Sequence, residues 1–258
     1  MIKNKLNIDT SFDFTKDTPH FWEDDFWSYK NGLGGSKYDP DILSPTLQKY
    51  HQLLWSKQLP NKEFLDLQEG NTYQYLYWKD FRFGSDSIPA SFRYERNRNN
   101  LEEIAASTPD YHNKIEDFIH QSYTIGGMII FPKMKGSINQ IRGTNRLISD
   151  RFDLTLECIR RYYSNIPSPL SNVMERNHDF FKLFCNFKGY VNFFFLQDFI
   201  SQDYEDVIIW HTNKNVKETP FTYNPIPKGK DDYFSWIDFN LDLVNKRNAR
   251  IDSYLSTL

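Results

Sequence analysis

The spacing of hydrophobic and polar residues changes along the chain, and each change marks a predicted element. In "SPTLQKYHQLLWSK" the apolar residues recur near the helical period, with Ser44 as N-cap and Pro45 at the first helical position. Pro60 ends this predicted helix. Between Thr72 and Tyr94 the pattern alternates, as in "TYQYLYW", and it predicts two or three antiparallel strands.

The rest of the chain is predicted to be mainly helical. The segments "NLEEIAAS" and "DYHNKIEDFIHQSY" have helical spacing, whereas "TIGGMIIFPK" is typical of a buried strand. Further helices are expected at 137–143, 147–164, 169–187 and 232–256, with a short strand in "DVIIWH". Because strands and helices are segregated rather than alternating, the predicted fold class is α+β. We expect a small, mainly antiparallel sheet packed against several helices.

The amino-acid composition predicts a core that is built largely from aromatic rings. Aromatic residues make up 17% of the 258 residues, including 22 Phe and 16 Tyr. Each buried ring removes a large apolar area from water but demands a specific packing geometry. The length fits a single globular domain, 1–258, with a loop-rich aromatic arm, 1–42, packed on it.

Charge and motif content exclude several classes of function. The net charge of −3 gives no global attraction to nucleic acid, so nucleic-acid binding is not expected. The start of the chain has no signal-peptide pattern, and the most apolar stretch, 180–200, is interrupted by polar residues, so we expect a cytoplasmic protein without a membrane span. The histidines and the two cysteines lack ligand spacing, so no metal site is predicted, and no cofactor is assigned.

The stretch "GSINQIRGTNRLISDRFDLTLECIRRYY", 136–163, concentrates charge between two aromatic-rich blocks. On a helical wheel an apolar stripe runs through its second half, and a narrow charged strip lies opposite. Glu157 precedes Arg161 by four residues, which favours an ion pair. The strip is therefore interpreted as a solvated, salt-bridged face; it contains Asp150, Asp153, Glu157, Arg160 and Arg161.

Arg151 differs because it projects from the apolar sector of this wheel, where a charge is costly unless it is paired or faces a cavity. The glycine-flanked segment before it leads into a helix N-terminus, an arrangement that suits an anion. One interpretation is an anion-binding site formed by Asn139, Gln140, Arg142, Arg146 and Arg151. The alternative is a buried structural network in which Arg142 and Arg151 pair with acidic residues elsewhere.

Weaker candidates lie in "FRFGSDSI", where Arg82 and Asp86 flank a turn or strand end. The alternative is a turn that caps its own backbone. With Glu205, these two residues are the candidate catalytic residues. The order Arg82, then Ser122 with Thr124, then Glu205 matches the general layout of ADP-ribosyltransferases, although no motif-level match supports it.

The motifs "TIGGMIIFP" and "SINQIRGTNRLISDRFDLTLECIRRYY" carry a wider resemblance. With them, nearly the whole chain resembles a family of bacterial proteins of unknown function. The resemblance implies a stand-alone bacterial cytosolic domain, and it implies no activity.

Two hypotheses of different classes follow. The first is a protein that binds a phosphorylated small molecule or nucleotide, with an ADP-ribosyltransferase-like enzyme as its catalytic version. The second is a non-catalytic interaction protein of a bacterial defence or toxin system, which contacts a protein partner through Trp22, Phe26 and Trp27.

Overall fold

The N-terminal part of the chain leads through short turns into the first long helix. The computed structural model describes residues 6–22, 38–70, 75–90, 98–133, 147–211, 221 and 226–258. Two 3₁₀ turns, Phe14–Asp17 and Pro19–Trp22, precede helices α1 (Pro40–Leu43) and α2 (Pro45–Trp55). Ser44 caps α2 by accepting the backbone N–H of Leu47 at 3.0 Å, as its sequence predicts.

An antiparallel sheet occupies the middle of the chain, with strand order β1-β2-β3-β4. The strands are β1 (Gln68–Glu69), β2 (Leu76–Trp78), β3 (Phe81–Ser87) and β4 (Met128–Pro132). β2 and β3 form a tight hairpin in which Tyr77 pairs with Arg82, and β4 pairs with β3 from Phe83↔Pro132 to Ser87↔Met128. Every residue of β4 is buried, which confirms the predicted buried strand.

Helices supply most of the remaining described structure. A short 3₁₀ turn at Ile125–Gly127 lies between α4 and β4, and another at Gln197–Phe199 follows α8. The helices are α3 (Arg98–Ser107), α4 (Tyr111–Ser122), α5 (Phe152–Tyr163), α6 (Ser171–Arg176), α7 (His178–Lys182), α8 (Phe187–Phe193) and α9 (Lys230–Ser256). The segregated strands and helices confirm the α+β fold class.

The core is built from rings, as the composition predicts. Phe184 is completely buried, and its ring lies 5.1 Å from Phe180, 5.1 Å from Tyr190 and 5.3 Å from Phe194, measured between centroids. These separations are those of favourable edge and offset packing. One hydrophobic cluster extends from Phe14 near the N-terminus to Leu255 in α9, so the first turns and the last helix share a core.

Several sequence-based expectations about elements are wrong. The helix expected at 169–187 is two short helices, α6 and α7, because Asn177 leaves the helical conformation and its side-chain amide donates to the Val173 carbonyl at 2.8 Å. The predicted strand "DVIIWH" contributes a single bridge between Ile200 and Val207. The helix expected at 147–164 begins only at Phe152. The helix predicted at 137–143 lies outside the described residues.

Candidate functional site

A cavity of about 780 Å³ lies where the β2–β3 hairpin meets the end of β4 and helices α6 and α7. Its lining is unusually rich in cationic side chains for a chain of net negative charge. Four cations face two carboxylates, an amide and an apolar part with three rings. The lining residues are Tyr77, Lys79, Asp80, Phe81, Arg82, Pro132, Lys133, Arg176, Asn177, Asp179 and Phe180.

The sheet positions two of these cations. Arg82 lies in β3 opposite Tyr77, and its guanidinium carbon is 4.7 Å from the ring centre of Tyr75. Lys133 follows β4 directly and donates its backbone N–H to the Arg82 carbonyl at 2.7 Å. The Lys133 side chain crosses Gly84, because a Cβ built on that glycine would lie 2.5 Å from the lysine Cε. Gly84 therefore gives Lys133 its path along the sheet.

The cations of the cavity differ in how they are paired. Lys79 binds the carboxylate of Glu63, and both side chains are about half exposed. In contrast, neither Lys133 nor Arg176 forms an ion pair with any residue that the structure describes. Arg176 is exposed and Lys133 is partly buried. Two cationic side chains that form no ion pair with a described residue thus line the same concave surface.

Three partly buried aspartates gather at the other end of β3, namely Asp39, Asp41 and Asp86. Asp39 caps α1 by accepting the Asp41 backbone N–H at 3.0 Å, and it also accepts the Tyr123 hydroxyl at 2.9 Å. The Asp41 carboxylate accepts the Ser85 hydroxyl at 2.9 Å. Helix α1 thereby brings two carboxylates against the strand that carries the third.

Burial and mutual repulsion raise the pKa values of Asp39 and Asp41. Burial raises the pKa of Asp39 to about 6, and the nearby charge of Asp86 adds to the rise. Burial also raises the pKa of Asp41 well above its usual range, and the charges of Asp39 and Asp86 reinforce it. The positive charge of Lys133, which also lines the cavity, acts against this rise in the pKa of Asp41.

A chain of hydrogen bonds runs from Asp41 through Ser85 and His51 to Trp55, and it fixes the tautomer of the His51 ring. The Trp55 indole N–H donates to His51 Nδ1 at 2.9 Å, so the neutral ring carries its proton on Nε2. That Nε2 lies 2.9 Å from the Ser85 hydroxyl oxygen. Burial lowers the His51 pKa to about 3, which keeps the ring neutral. Because Nε2 is a donor here, His51 cannot take a proton from Ser85, and Ser85 is instead oriented to donate to Asp41.

Comparison with known proteins gives a family and nothing more specific. The model of the family of unknown function DUF6994 matches residues 8–251, nearly the full length of the chain. The chain belongs to that family. No curated protein and no solved structure matches it. No helix in the described part of the chain is both long and apolar enough to cross a membrane.

The family match assigns no functional residue, and the predicted site residues lie in different parts of the fold. Four members of the predicted anion site, Asn139, Gln140, Arg142 and Arg146, lie outside the described residues. Arg82 and Asp86 both lie on β3, Arg82 in the cavity and Asp86 in the carboxylate group. The structure therefore places these two candidates at the two ends of one strand.

Arg151 lies in a buried structural network, which is the second of the two interpretations of this residue. Its side chain is completely buried, and its guanidinium is held by Asp153 and by the Trp210 carbonyl at 2.8 Å. The rings of Trp210 and Trp236 lie 5.3 and 5.1 Å from its guanidinium carbon. A carboxylate within the chain thus occupies the position that an external anion would take.

The expectation of a solvated charged strip on α5 is wrong for two of its residues. Asp153 is 2% exposed and Glu157 is 4% exposed. Glu157 accepts the Nε–H groups of both Arg160 and Arg161 at 2.7 Å, so the predicted Glu157–Arg161 pair is present but largely shielded from water. Asp153 turns inward because it is the partner of Arg151.

The residues of the ADP-ribosyltransferase layout lie on separate elements. Arg82 is in β3, Ser122 ends α4, and Thr124 accepts the side-chain amide of Asn248 at 2.9 Å. Glu205 lies in the exposed loop between Ile200 and Val207. Among these residues, only Arg82 lines the cationic cavity.

The predicted aromatic contact surface is described only at Trp22. This ring is partly buried, packing 5.2 Å from Phe21 and 4.9 Å from the His120 ring. Phe26 and Trp27 lie outside the described residues.

Sequence reasoning missed Lys133, Arg176, Asp39 and Asp41. Lys133 had a usable signal, because it directly follows a buried strand in "MIIFPK". The other three lie in segments without a motif.

Proposed function

We propose that the protein binds a phosphate-bearing small molecule in the cavity between the β2–β3 hairpin and helices α6 and α7. The observation that carries the proposal is that Lys133 and Arg176 line this cavity and pair with no carboxylate among the described residues. A cation that faces a concave surface without a counter-ion is stabilised by a bound anion.

The lining favours a phosphate ester over a bare anion. Arg82 and Arg176 present planar guanidinium groups, which bind phosphate oxygens in pairs, while Lys133 supplies a compact charge. Asp80, Asp179 and Asn177 offer acceptors for hydroxyl groups. A volume of about 780 Å³ exceeds what inorganic phosphate needs and falls within the usual range for small-molecule sites.

Calorimetry with inorganic phosphate, pyrophosphate and ribose 5-phosphate tests the proposal. We expect at least one of them to bind the wild type, and we expect Lys133→Met and Arg176→Met each to weaken it by about tenfold or more, since a charge-assisted hydrogen bond contributes roughly 1.5–3 kcal/mol. Lys246→Met is the matched control, because Lys246 is an exposed lysine of α9 that pairs with Asp242 away from the cavity. The proposal fails if no phosphate binds, or if the cavity variants bind as well as the control.

The sequence-based anion site stays a separate prediction. Arg142→Met and Arg146→Met, measured with the same ligands, test whether this segment contributes to phosphate binding. A loss of affinity in these variants alone, with Lys133→Met and Arg176→Met unchanged, would move the site away from the cavity.

The ADP-ribosyltransferase and interaction-protein hypotheses remain predictions from sequence, and the cavity supports neither.

A further inference from the structure

The cavity in which we propose that phosphate binds also contains an aromatic ring, on the same face of the sheet as one of its cations. Tyr77 and Arg82 are cross-strand partners in the β2–β3 hairpin, and both line the cavity. Side chains directly opposite each other in an antiparallel pair have Cβ atoms about 5 Å apart. The Tyr77 and Arg82 side chains therefore leave the same face of the sheet from neighbouring positions.

The three rings of the cavity are not equivalent. Phe180 is 1% exposed and belongs to the aromatic core. Phe81 is stacked on Trp78 and Phe83, at centroid separations of 6.0 and 5.8 Å. Tyr77 is partly exposed and has no described ring stacked on it.

Gly70 holds the Tyr77 ring in place from behind. A Cβ built on Gly70 would lie 2.1 Å from Cε2 of Tyr77 and 2.8 Å from its Cδ2, so the ring packs directly on the glycine backbone. One side of the ring is thus occupied by the chain, while the residue also lines the cavity. A fixed ring at the edge of a polar cavity is a stacking surface for a planar group.

We infer that the phosphate ligand is a nucleotide whose base stacks on Tyr77. This inference rests on the proposed function and names its ligand class. The phosphate binds Lys133, Arg176 and Arg82, and the acceptors of Asp80, Asn177 and Asp179 receive hydroxyl and amino groups of the ribose and base. A nucleotide also accounts for a cavity larger than a phosphate requires.

Calorimetric comparison of AMP with ribose 5-phosphate measures the contribution of the base. Because stacking of a base on an aromatic side chain contributes roughly 1–3 kcal/mol, AMP is expected to bind about five- to 150-fold more tightly. Tyr77→Leu is expected to abolish this ratio while leaving ribose 5-phosphate affinity unchanged. Tyr77→Phe, which keeps the ring, is expected to preserve it.

Gly70→Ala is an independent test that keeps the tyrosine. The added methyl group pushes the Tyr77 ring from its position, so the AMP preference is expected to fall without loss of ribose 5-phosphate binding. Lys133→Met is expected to weaken both ligands by the same factor. Phe64→Leu is the control for loss of a ring, because Phe64 is 57% exposed and lies outside the cavity.

The outcomes separate this inference from the proposed function. Equal affinity for AMP and ribose 5-phosphate, with both weakened by Lys133→Met, overturns the nucleotide inference and leaves phosphate binding intact. A preference for AMP that survives both Tyr77→Leu and Gly70→Ala overturns the role of Tyr77. Absence of binding by any phosphate overturns the inference and the proposed function together.

Discussion

Replacement of Arg151 by methionine is expected to destabilise the protein strongly. Arg151 is completely buried, and its guanidinium donates to both Asp153 oxygens and to the Trp210 carbonyl. Met approximates the length of the side chain but removes its charge and all these donors. The Asp153 carboxylate then stays buried, with the Trp210 and Leu154 backbone N–H groups, at 3.0 and 2.9 Å, as its remaining donors.

The expected loss in the free energy of unfolding is about 3–5 kcal/mol, the usual cost of removing one partner from a buried ion pair. Domains of this kind have a total stability of roughly 5–15 kcal/mol, so this change is a large fraction of it. The corresponding fall in Tm is about 6–20 °C for a chain of this length. Loss of the two Trp contacts to the guanidinium acts in the same direction.

Urea unfolding followed by circular dichroism measures the change. Arg160→Met is the matched control on the same helix, because Arg161 still binds Glu157 when Arg160 is removed, and a loss below about 1 kcal/mol is expected. The double variant Arg151→Met with Asp153→Leu is expected to be more stable than Arg151→Met alone, since it leaves no unpaired Asp153 charge in the core. A loss below about 1 kcal/mol for Arg151→Met would refute the structural role of this arginine.

Three further predictions concern the carboxylates, the buried histidine and the core. Because burial raises the folded-state pKa of Asp39 from 3.8 to about 6, the folded state holds this proton more tightly, and stability is lost as pH rises from about 4 to about 6. The free energy of unfolding of Asp39→Asn minus that of the wild type, measured with urea, should therefore increase by at most about 3 kcal/mol from pH 4 to pH 7. If this difference is the same at both pH values, the pKa shift of Asp39 is contradicted. Nitrogen NMR should find His51 as the neutral Nε2–H tautomer down to about pH 4, and titration near pH 6 would show that the Trp55 bond and burial do not fix it. Phe184→Ala should cost roughly 3–5 kcal/mol in urea unfolding, against less than about 1 kcal/mol for the exposed Phe64→Ala, and similar losses would mean that Phe184 is not packed as described.

Local sequence patterns predicted the elements that local interactions determine. Ser44 and Pro45 are sufficient to predict the start of α2, and both act as expected, although Asp17 also accepts the Thr46 backbone N–H at 3.1 Å. The buried strand β4 and the final helix, predicted at 232–256 and found at Lys230–Ser256, have long uninterrupted patterns. Each of these signals is contained within one segment, so no distant contact is needed to interpret it.

Prediction failed where packing on several sides determines the backbone. Between α6 and α8 the neighbouring residues Phe180, Phe181, Leu183 and Phe184 are all buried, so a single helical period could not describe them. Cys185 and Phe195 adopt left-handed conformations, with φ of 65° and 56°, and these positions follow α7 and α8. Residues other than glycine seldom adopt this conformation, so nothing in the local sequence marked the turns.

The candidate site shows why charge in a sequence does not by itself identify a binding site. Arg151 was the most conspicuous cation in the sequence, yet Asp153, two residues away, binds it completely within the fold. Lys133 and Arg176 were not predicted as site residues, and they line the cavity without an ion-pair partner among the described residues. Whether a cation can bind an external anion depends on which carboxylates the fold brings near it, and that pairing is a long-range property. The useful signal in this chain is therefore a cation directly after a buried strand, where the sheet fixes its position and leaves the side chain at the edge.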